Sequence, residues 1–351
     1  MKYGILTYHN IPNFGAVLQA YALCKKLRSM GADCEIIDYT CQNILLRELS
    51  PHQNDSFLKC LAYRIFIWPK EKKKIARCQD FVREYYSKQS YTKENIIEAN
   101  QMYDCFISGS DMIWNLDVNG RDFAFFLDFA KGDKRRFSYG SSVDGTWPEA
   151  DLGRIGGYLQ DYKGISVRER DTCDTIRECF GLVCRTVCDP TMLIEAETWK
   201  SMAAPVKETG YVLVYFPYRE ILAAAQKYAK LHHKSLVVVD NCYPWKGKDR
   251  RILYGPEEWI SYIQKADAVF TDSYHGFLFS LYLERPVWTN NKGSRLRDLI
   301  ERCGLQNCLI ENDLDFTNEI DFSQANACLN SLRSQSEEYL QAMLDAGENG
   351  V

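Results

Sequence analysis

The residues best able to do chemistry fall just after short runs of strand-forming residues. Asp272-Ser273-Tyr274-His275-Gly276 follows the apolar run 268–271. Asp272 or Ser273 would cap the next helix, which puts His275 in its first turn. An imidazole there can give or take a proton near neutral pH. Gly276 beside it would leave room for a ligand. Arg168 and Arg170 follow the run 163–167 at i and i+2, a spacing that points two side chains the same way on a strand. A guanidinium holds phosphate or carboxylate with a two-pronged fork, although an ion pair with Glu169 or Asp171 would occupy it equally well. Ser110 and Asp111 offer a hydroxyl and a carboxylate suited to recognising hydroxyls, or to capping the next helix. Asn13-Phe14-Gly15 opens a helix, where free N–H groups can meet an anion, although a tight turn without ligand explains it equally well. Lys292 and Arg295 flank a further helix start, capped by Ser294, and add two cations to another plausible anion site.

These positions are set by an alternation of strands and helices. Residues 3–8 read as strand. Val17, Ala20, Tyr21, Cys24 and Leu27 recur at helical spacing, Gly31 follows as a helix end, and 34–38 is the next strand. Strand, helix, strand implies parallel neighbours. The pattern returns at 103–108, 136–139 and 163–167. It returns again in the second half at 211–216, 236–240, 268–271 and 287–289, with helical patterns at 257–265 and 294–303 between. Such alternation predicts doubly wound α/β sheets, which bind ligands outside the carboxyl ends of their strands. Asp189-Pro190 interrupts it. The predicted domains are therefore 1–190 and 191–322, and the tail 323–351 is a helix expected to pack back on the first domain. Residues 42–98 fit worst and are predicted to be a variable helical insert. Within it, 57–68 is apolar and aromatic, and Pro69, Lys70, Lys72, Lys73 and Lys74 follow. The favoured reading is a helix packed on the protein, followed by a solvated basic start to the next helix. The other is an amphipathic segment in peripheral contact with a membrane surface.

The chain has 351 residues, 46% hydrophobic and 26% charged, ordinary for one or two globular domains. No run approaches the ~20 apolar residues of a membrane span, and the N-terminus lacks the pattern of a signal peptide, so a soluble cytoplasmic protein is expected. A net charge of −4 argues against nucleic acid as a partner. The 14 cysteines include no Cys-x-x-Cys pair, and Cys173, Cys179, Cys184 and Cys188 lack zinc spacing. Others, such as Cys24, Cys34 and Cys105, sit on apolar faces. Reduced core thiols are expected, and no metal site.

Taken in order, the motifs resemble the polysaccharide pyruvyl transferase family. The matching stretches are Gly4-Ile5-Leu6-Thr7, the run from Asn13-Phe14-Gly15 to Ala22, Ile107-Ser108-Gly109-Ser110-Asp111 with Trp114-Asn115, Ser166-Val167-Arg168, Cys188-Asp189-Pro190 and Thr271-Asp272-Ser273-Tyr274-His275-Gly276. The resemblance implies a glycosyltransferase-B-like fold: two Rossmann-like doubly wound domains facing a cleft, with the acceptor on the first and the donor on the second. It implies transfer of pyruvate from phosphoenolpyruvate to two hydroxyls of a sugar in a surface polysaccharide or its precursor, a lipid-linked oligosaccharide among them. The products are a cyclic ketal and phosphate. Phosphoenolpyruvate is a substrate, and no cofactor is implied. By the resemblance His275 is the general acid and Arg168 contacts the donor, with Lys292 matched more loosely as a second cation. Asn13, Gly15, Ser110, Asp111, Arg170, Ser273 and Arg295 are the expected substrate contacts around them. One position departs from the pattern: Ser273 stands where several members carry Arg. The alternatives are a nucleotide-sugar glycosyltransferase and a non-catalytic glycan-binding relative on the same fold.

Overall fold

The protein is described from a computed structural model, which places residues 1–49, 61, 63–239, 249–290, 293–310, 316 and 320–348. Two compact units emerge. The first comprises Met1–Pro12, Ala16–Leu193 and Leu332–Val351, the second Asn13–Gly15 and Ile194–Ser331.

The first unit holds six parallel strands: β1 (Lys2–Leu6), β2 (Asp33–Tyr39), β3 (Tyr86–Tyr91), β4 (Cys105–Ser108), β5 (Arg135–Ser138) and β6 (Tyr162–Gly164), in the order β3-β2-β1-β4-β5-β6. Ile5 pairs with Ile36 on one side and Ile107 on the other, and all three are fully buried. A sheet covered on both faces needs such continuous apolar runs. The order reverses between β1 and β4, the switch point of the sheet. The helix α1 (Phe14–Ser29) follows β1. Below β4, Trp114 stacks on Phe126 with centroids 5.2 Å apart, and its indole N–H donates to Ser108 Oγ (2.9 Å) and to the Phe125 carbonyl (3.0 Å).

Residues 42–98 differ from the expected helical insert. They hold α2 (Gln42–Leu49) and α3 (Trp68–Val82), but also β3, an edge strand paired with β2. Its exposed middle residues Lys88, Gln89 and Ser90 disguised it in the sequence. Residues 57–60 and 62 lie outside the described residues. Of the rest of that apolar run, Leu61, Ile65 and Phe66 are exposed and so not packed on the protein as expected, whereas Ile67 and Trp68 are half-buried. The run 163–167 splits: β6 ends at Gly164, and β7 (Ser166–Val167) pairs with β8 (Arg185–Thr186) in a small second sheet. The helix α4 (Arg170–Phe180) lies between β7 and β8.

The second unit repeats the design with β9 (Tyr211–Tyr215), β10 (Ser235–Val239), β11 (Arg250–Arg251), β12 (Ala268–Thr271) and β13 (Val287–Trp288), all parallel, in the order β11-β10-β9-β12-β13. Its switch point lies between β9 and β12. The helices α5 (Arg219–Leu231), α6 (Pro256–Lys265), α7 (Tyr274–Tyr282) and α8 (Ser294–Cys303) accompany the strands. Trp259 on α6 packs edge-on against Tyr215 (5.5 Å) and Phe279 (5.0 Å), and Phe14 lies 5.9 Å from it. The final helix, α9 (Phe322–Glu348), belongs to the first unit from Leu332 onward. There Tyr339 donates to the Ser138 carbonyl (2.8 Å), and Ser336 Oγ accepts from the Cys188 amide (2.8 Å).

The expectation of wholly reduced thiols is corrected at one place. Cys303 and Cys328 form a disulfide, their Cα atoms 5.5 Å apart. Sequence spacing carries no sign of it, because α8 and α9 bring together residues 25 apart. The ten other described cysteines are free. Among the described residues, no helix is long and apolar enough to cross a membrane.

Candidate active site

In the second unit, β12 delivers the chain to the switch point, where α7 begins. Of the two candidate caps, Ser273 takes the role: its Oγ accepts from the Gly276 amide (3.2 Å), and its own amide donates to Thr271 Oγ1 (3.0 Å). Asp272 instead accepts from the Asn290 amide (2.8 Å) and from Thr289 Oγ1 (3.2 Å). That fastens the loop after β13 to the loop after β12. His275 is then the second helical residue and only 7% exposed.

Two glycines adjoin this histidine, and both are used for packing. A Cβ on Gly276 would lie 2.9 Å from both Thr271 Oγ1 and Tyr215 Cδ1. The space expected there for a ligand is filled, and the glycine lets α7 close on the sheet. A Cβ on Gly15 would lie 2.2 Å from Nδ1 of His275 and 2.4 Å from its Cγ. Asn13–Gly15 clusters with the second unit, and the Gly15 amide donates to Asn13 Oδ1 (3.0 Å). Asn13, Gly15 and His275 are thus brought together, with the imidazole occupying the notch that the glycine leaves open.

Arg295, the second residue of α8, is half-buried, and its guanidinium lies 5.5 Å from the Tyr274 ring. The expected cap fails here. Gly293 holds the N-cap position with φ of 99°, and Ser294 is the first helical residue. Lys292 lies outside the described residues.

In the first unit, bridges from Asp111 to Ser141 and from Ser141 to Val167 align the loops after β4, β5 and β7. Arg168 Nε donates to Ser110 Oγ (2.7 Å) and to the Gly140 carbonyl (3.2 Å). Ser110 Oγ donates to the same carbonyl (2.9 Å), and its own carbonyl accepts from Thr7 Oγ1 (2.6 Å). Arg168 Nη1 lies 2.9 Å from the Asp189 carboxylate, the two side chains being 3% and 0% exposed. The predicted residues Ser110, Asp111 and Arg168 therefore come together, but the guanidinium is already matched by an internal carboxylate. Asp111 is held at φ of +78°, uncommon for a non-glycine residue, and its carboxylate accepts from the Met112 amide (2.8 Å). Arg170 is exposed as the first residue of α4. Its i, i+2 partnership with Arg168 fails because the strand stops at Val167.

Three buried ionisable side chains carry no functional reading in the sequence. Asp189 anchors Arg168. Glu169, 2% exposed, accepts from the Ser142 hydroxyl. His9, 1% exposed, lies 2.9 Å by Nδ1 from the Thr7 carbonyl and 3.2 Å by Nε2 from Asp38, and Ser90 donates to the other Asp38 oxygen (2.5 Å). Burial pushes the Asp38 carboxyl up, but the hydrogen bonds from His9 and Ser90 outweigh it and hold the group below its ordinary value. Only Asp189 left a signal, as part of Cys188-Asp189-Pro190.

The sequence profile of the family described as polysaccharide pyruvyl transferase matches residues 13–289, most of the chain. The chain belongs to that family. No curated protein matches it. Solved structures of the same fold include S. aureus MnaA with UDP, 9% identical over 97% of this chain and 90% of that one, with a TM-score of 0.50. Another is the UDP-N-acetylglucosamine 2-epimerase of Rickettsia bellii, 9% identical over 98% and 95%, also with a TM-score of 0.50. At that identity they show the fold alone: two Rossmann-like domains of the glycosyltransferase-B type. Within this polysaccharide pyruvyl transferase family member the matched span holds Arg168, Ser273 and His275, while Lys292 and Arg295 lie beyond its end.

Proposed function

We propose that the protein transfers pyruvate from phosphoenolpyruvate to two hydroxyls of a sugar, forming a cyclic ketal and releasing phosphate. The observation that carries this reading is His275, fixed in the first turn of α7 at a sheet switch point, within the span matched by the family. Phosphoenolpyruvate is an enol phosphate. His275 would give its proton to C3, leaving C2 an oxocarbenium-like electrophile. One sugar hydroxyl adds to C2 and loses its proton. Phosphate then departs with the C2–O bond, and the second hydroxyl closes the ring and loses its own proton. Such a general acid contributes about 10²–10⁴-fold. The donor's two anionic groups need cations, and the reading gives one of them to Arg295, whose guanidinium lies 5.5 Å from the ring of Tyr274, the neighbour of His275.

The test is incubation with phosphoenolpyruvate and a panel of sugar acceptors, read by phosphate release and by mass gain of the acceptor. His275→Gln should lower kcat by at least about 10²-fold while leaving donor affinity nearly unchanged. Thermal protection by UDP with none by phosphoenolpyruvate would instead favour a nucleotide-sugar enzyme.

A further inference from the structure

An apolar segment normally buries its large side chains. Here Leu61, Ile65 and Phe66 are 45%, 55% and 67% exposed. Of the ten large apolar side chains exposed among the described residues, these three fall within six positions, whereas single exposed residues are common and mean little. Tyr63–Ile67 forms one π-helical turn that leads into α3. The helix α3 buries Lys74, Cys78 and Val82 against the first unit. Its remaining surface near the start carries Lys70, Lys72, Lys73 and Arg77, all exposed, and Arg64 is exposed just before it. Glu71, half-buried, is the acidic residue among them. This is a dense positive collar on a chain of net charge −4.

We propose that this segment is a docking surface for an anionic lipid bilayer. Apolar side chains come first along the axis, with Arg64 among them, and the lysines follow. From Phe66 to Lys70 and Lys73 is four to seven residues, roughly 6–10 Å at helical rise. Interfacial apolar faces sink about 5–10 Å into the headgroup boundary, so with Ile65 and Phe66 inserted the lysines meet lipid phosphates. Trp68, half-buried between the two zones with Lys72 Nζ 5.4 Å from its ring centroid, sits where Trp is favoured at membrane interfaces. The chain's net charge of −4 argues against a nucleic acid, and the like charges of a one-signed collar would repel one another across a contact between copies. The inference is independent of the reaction, and it places the chain where a lipid-linked acceptor would be.

The experiment is sedimentation of the full chain with phosphatidylcholine vesicles, with and without phosphatidylserine. Binding should require phosphatidylserine and weaken as salt rises. Ile65→Ser with Phe66→Ser should abolish it. Removing each cation should cost about 5-fold, so Arg64→Gln, Lys70→Gln and Lys72→Gln together should weaken it about 100-fold. These side chains are exposed, so unchanged thermal melts will show that the variants fold. The proposal is overturned if wild type does not sediment with phosphatidylserine vesicles, or if both sets of variants bind as wild type does. It is also overturned if the segment instead mediates self-association that Phe66→Ser abolishes in the absence of lipid.

Discussion

Gly15→Ala is the most diagnostic single substitution, because two opposing effects act on it and the structure says which should win. By itself, alanine for glycine at a compatible backbone position stabilises by about 0.4–1 kcal/mol, through a less disordered unfolded chain. Gly15 lacks the positive φ that would forbid alanine. Against that, the new Cβ would stand 2.2 Å from Nδ1 and 2.8 Å from Cβ of His275, where contacts settle at about 3.5–4.0 Å. The overlap exceeds 1 Å and involves the ring and its stem, so the imidazole must leave its place. Overpacking of this kind costs about 1–3 kcal/mol. The net expectation is destabilisation in wild type and neutrality or slight stabilisation when His275 is already Ala. Thermal melts of the four members of the cycle measure this without reference to catalysis. In turnover, a displacement of about 1 Å can cost 10²-fold, so kcat of Gly15→Ala should fall toward that of His275→Gln. Equal Tm changes in both His275 backgrounds would refute the reasoning, as would a fully active Gly15→Ala enzyme.

Three further outcomes follow from the geometry. Asp189→Asn should destabilise by about 3–5 kcal/mol in denaturant melts, because it leaves the Arg168 charge buried without its carboxylate; a variant as stable as wild type would show that the pair is dispensable. Asp38 is held below its ordinary carboxyl value when folded, so its contribution is present above about pH 4 and lost as pH falls through the lowered folded value. The stability gap between wild type and Asp38→Asn should therefore shrink on acidification; a constant gap would remove the charge argument. Breaking the Cys303–Cys328 disulfide, which closes a 25-residue separation, should cost about 3–4 kcal/mol by the chain-entropy relation, read as a lower Tm in reductant that Cys303→Ser reproduces.

Much of the sheet framework was legible because strands buried on both faces are almost uniformly apolar: the interval 268–271 of β12 can be read directly from Ala268, Val269, Phe270 and Thr271. The edge strand β3 was hidden for the opposite reason, since Lys88, Gln89 and Ser90 face solvent. At the site, sequence could place His275 in a first helical turn because capping is a local rule. It could not distinguish the uses of Gly15 and Gly276. A missing side chain can make room for a ligand or for another part of the fold, and only the fold shows that His275, Thr271 and Tyr215 fill the space. The partnership of Arg168 with Asp189 is likewise a tertiary fact, formed across 21 residues that include α4 and β8.

The departure at Ser273 now has a physical content. In this chain the residue caps α7, a role worth about 1 kcal/mol, and arginine cannot fill it. Arg168 does not make good the missing charge unaided, because Asp189 already balances it. The proposed reading turns instead to Arg295, which lies near Tyr274. The trade can be run in reverse. Ser273→Arg should lower stability by the lost cap, yet add a charged hydrogen bond to a donor anion worth about 1.5–3 kcal/mol, tightening phosphoenolpyruvate binding by roughly 10- to 150-fold in calorimetric titration. Arg295→Ala should weaken the same binding, and Ser273→Arg should restore part of the loss. If Ser273→Arg lowers Tm but leaves phosphoenolpyruvate affinity where it was, the donor's charge is not bound beside His275, and the assignment of this unit to the donor fails with it.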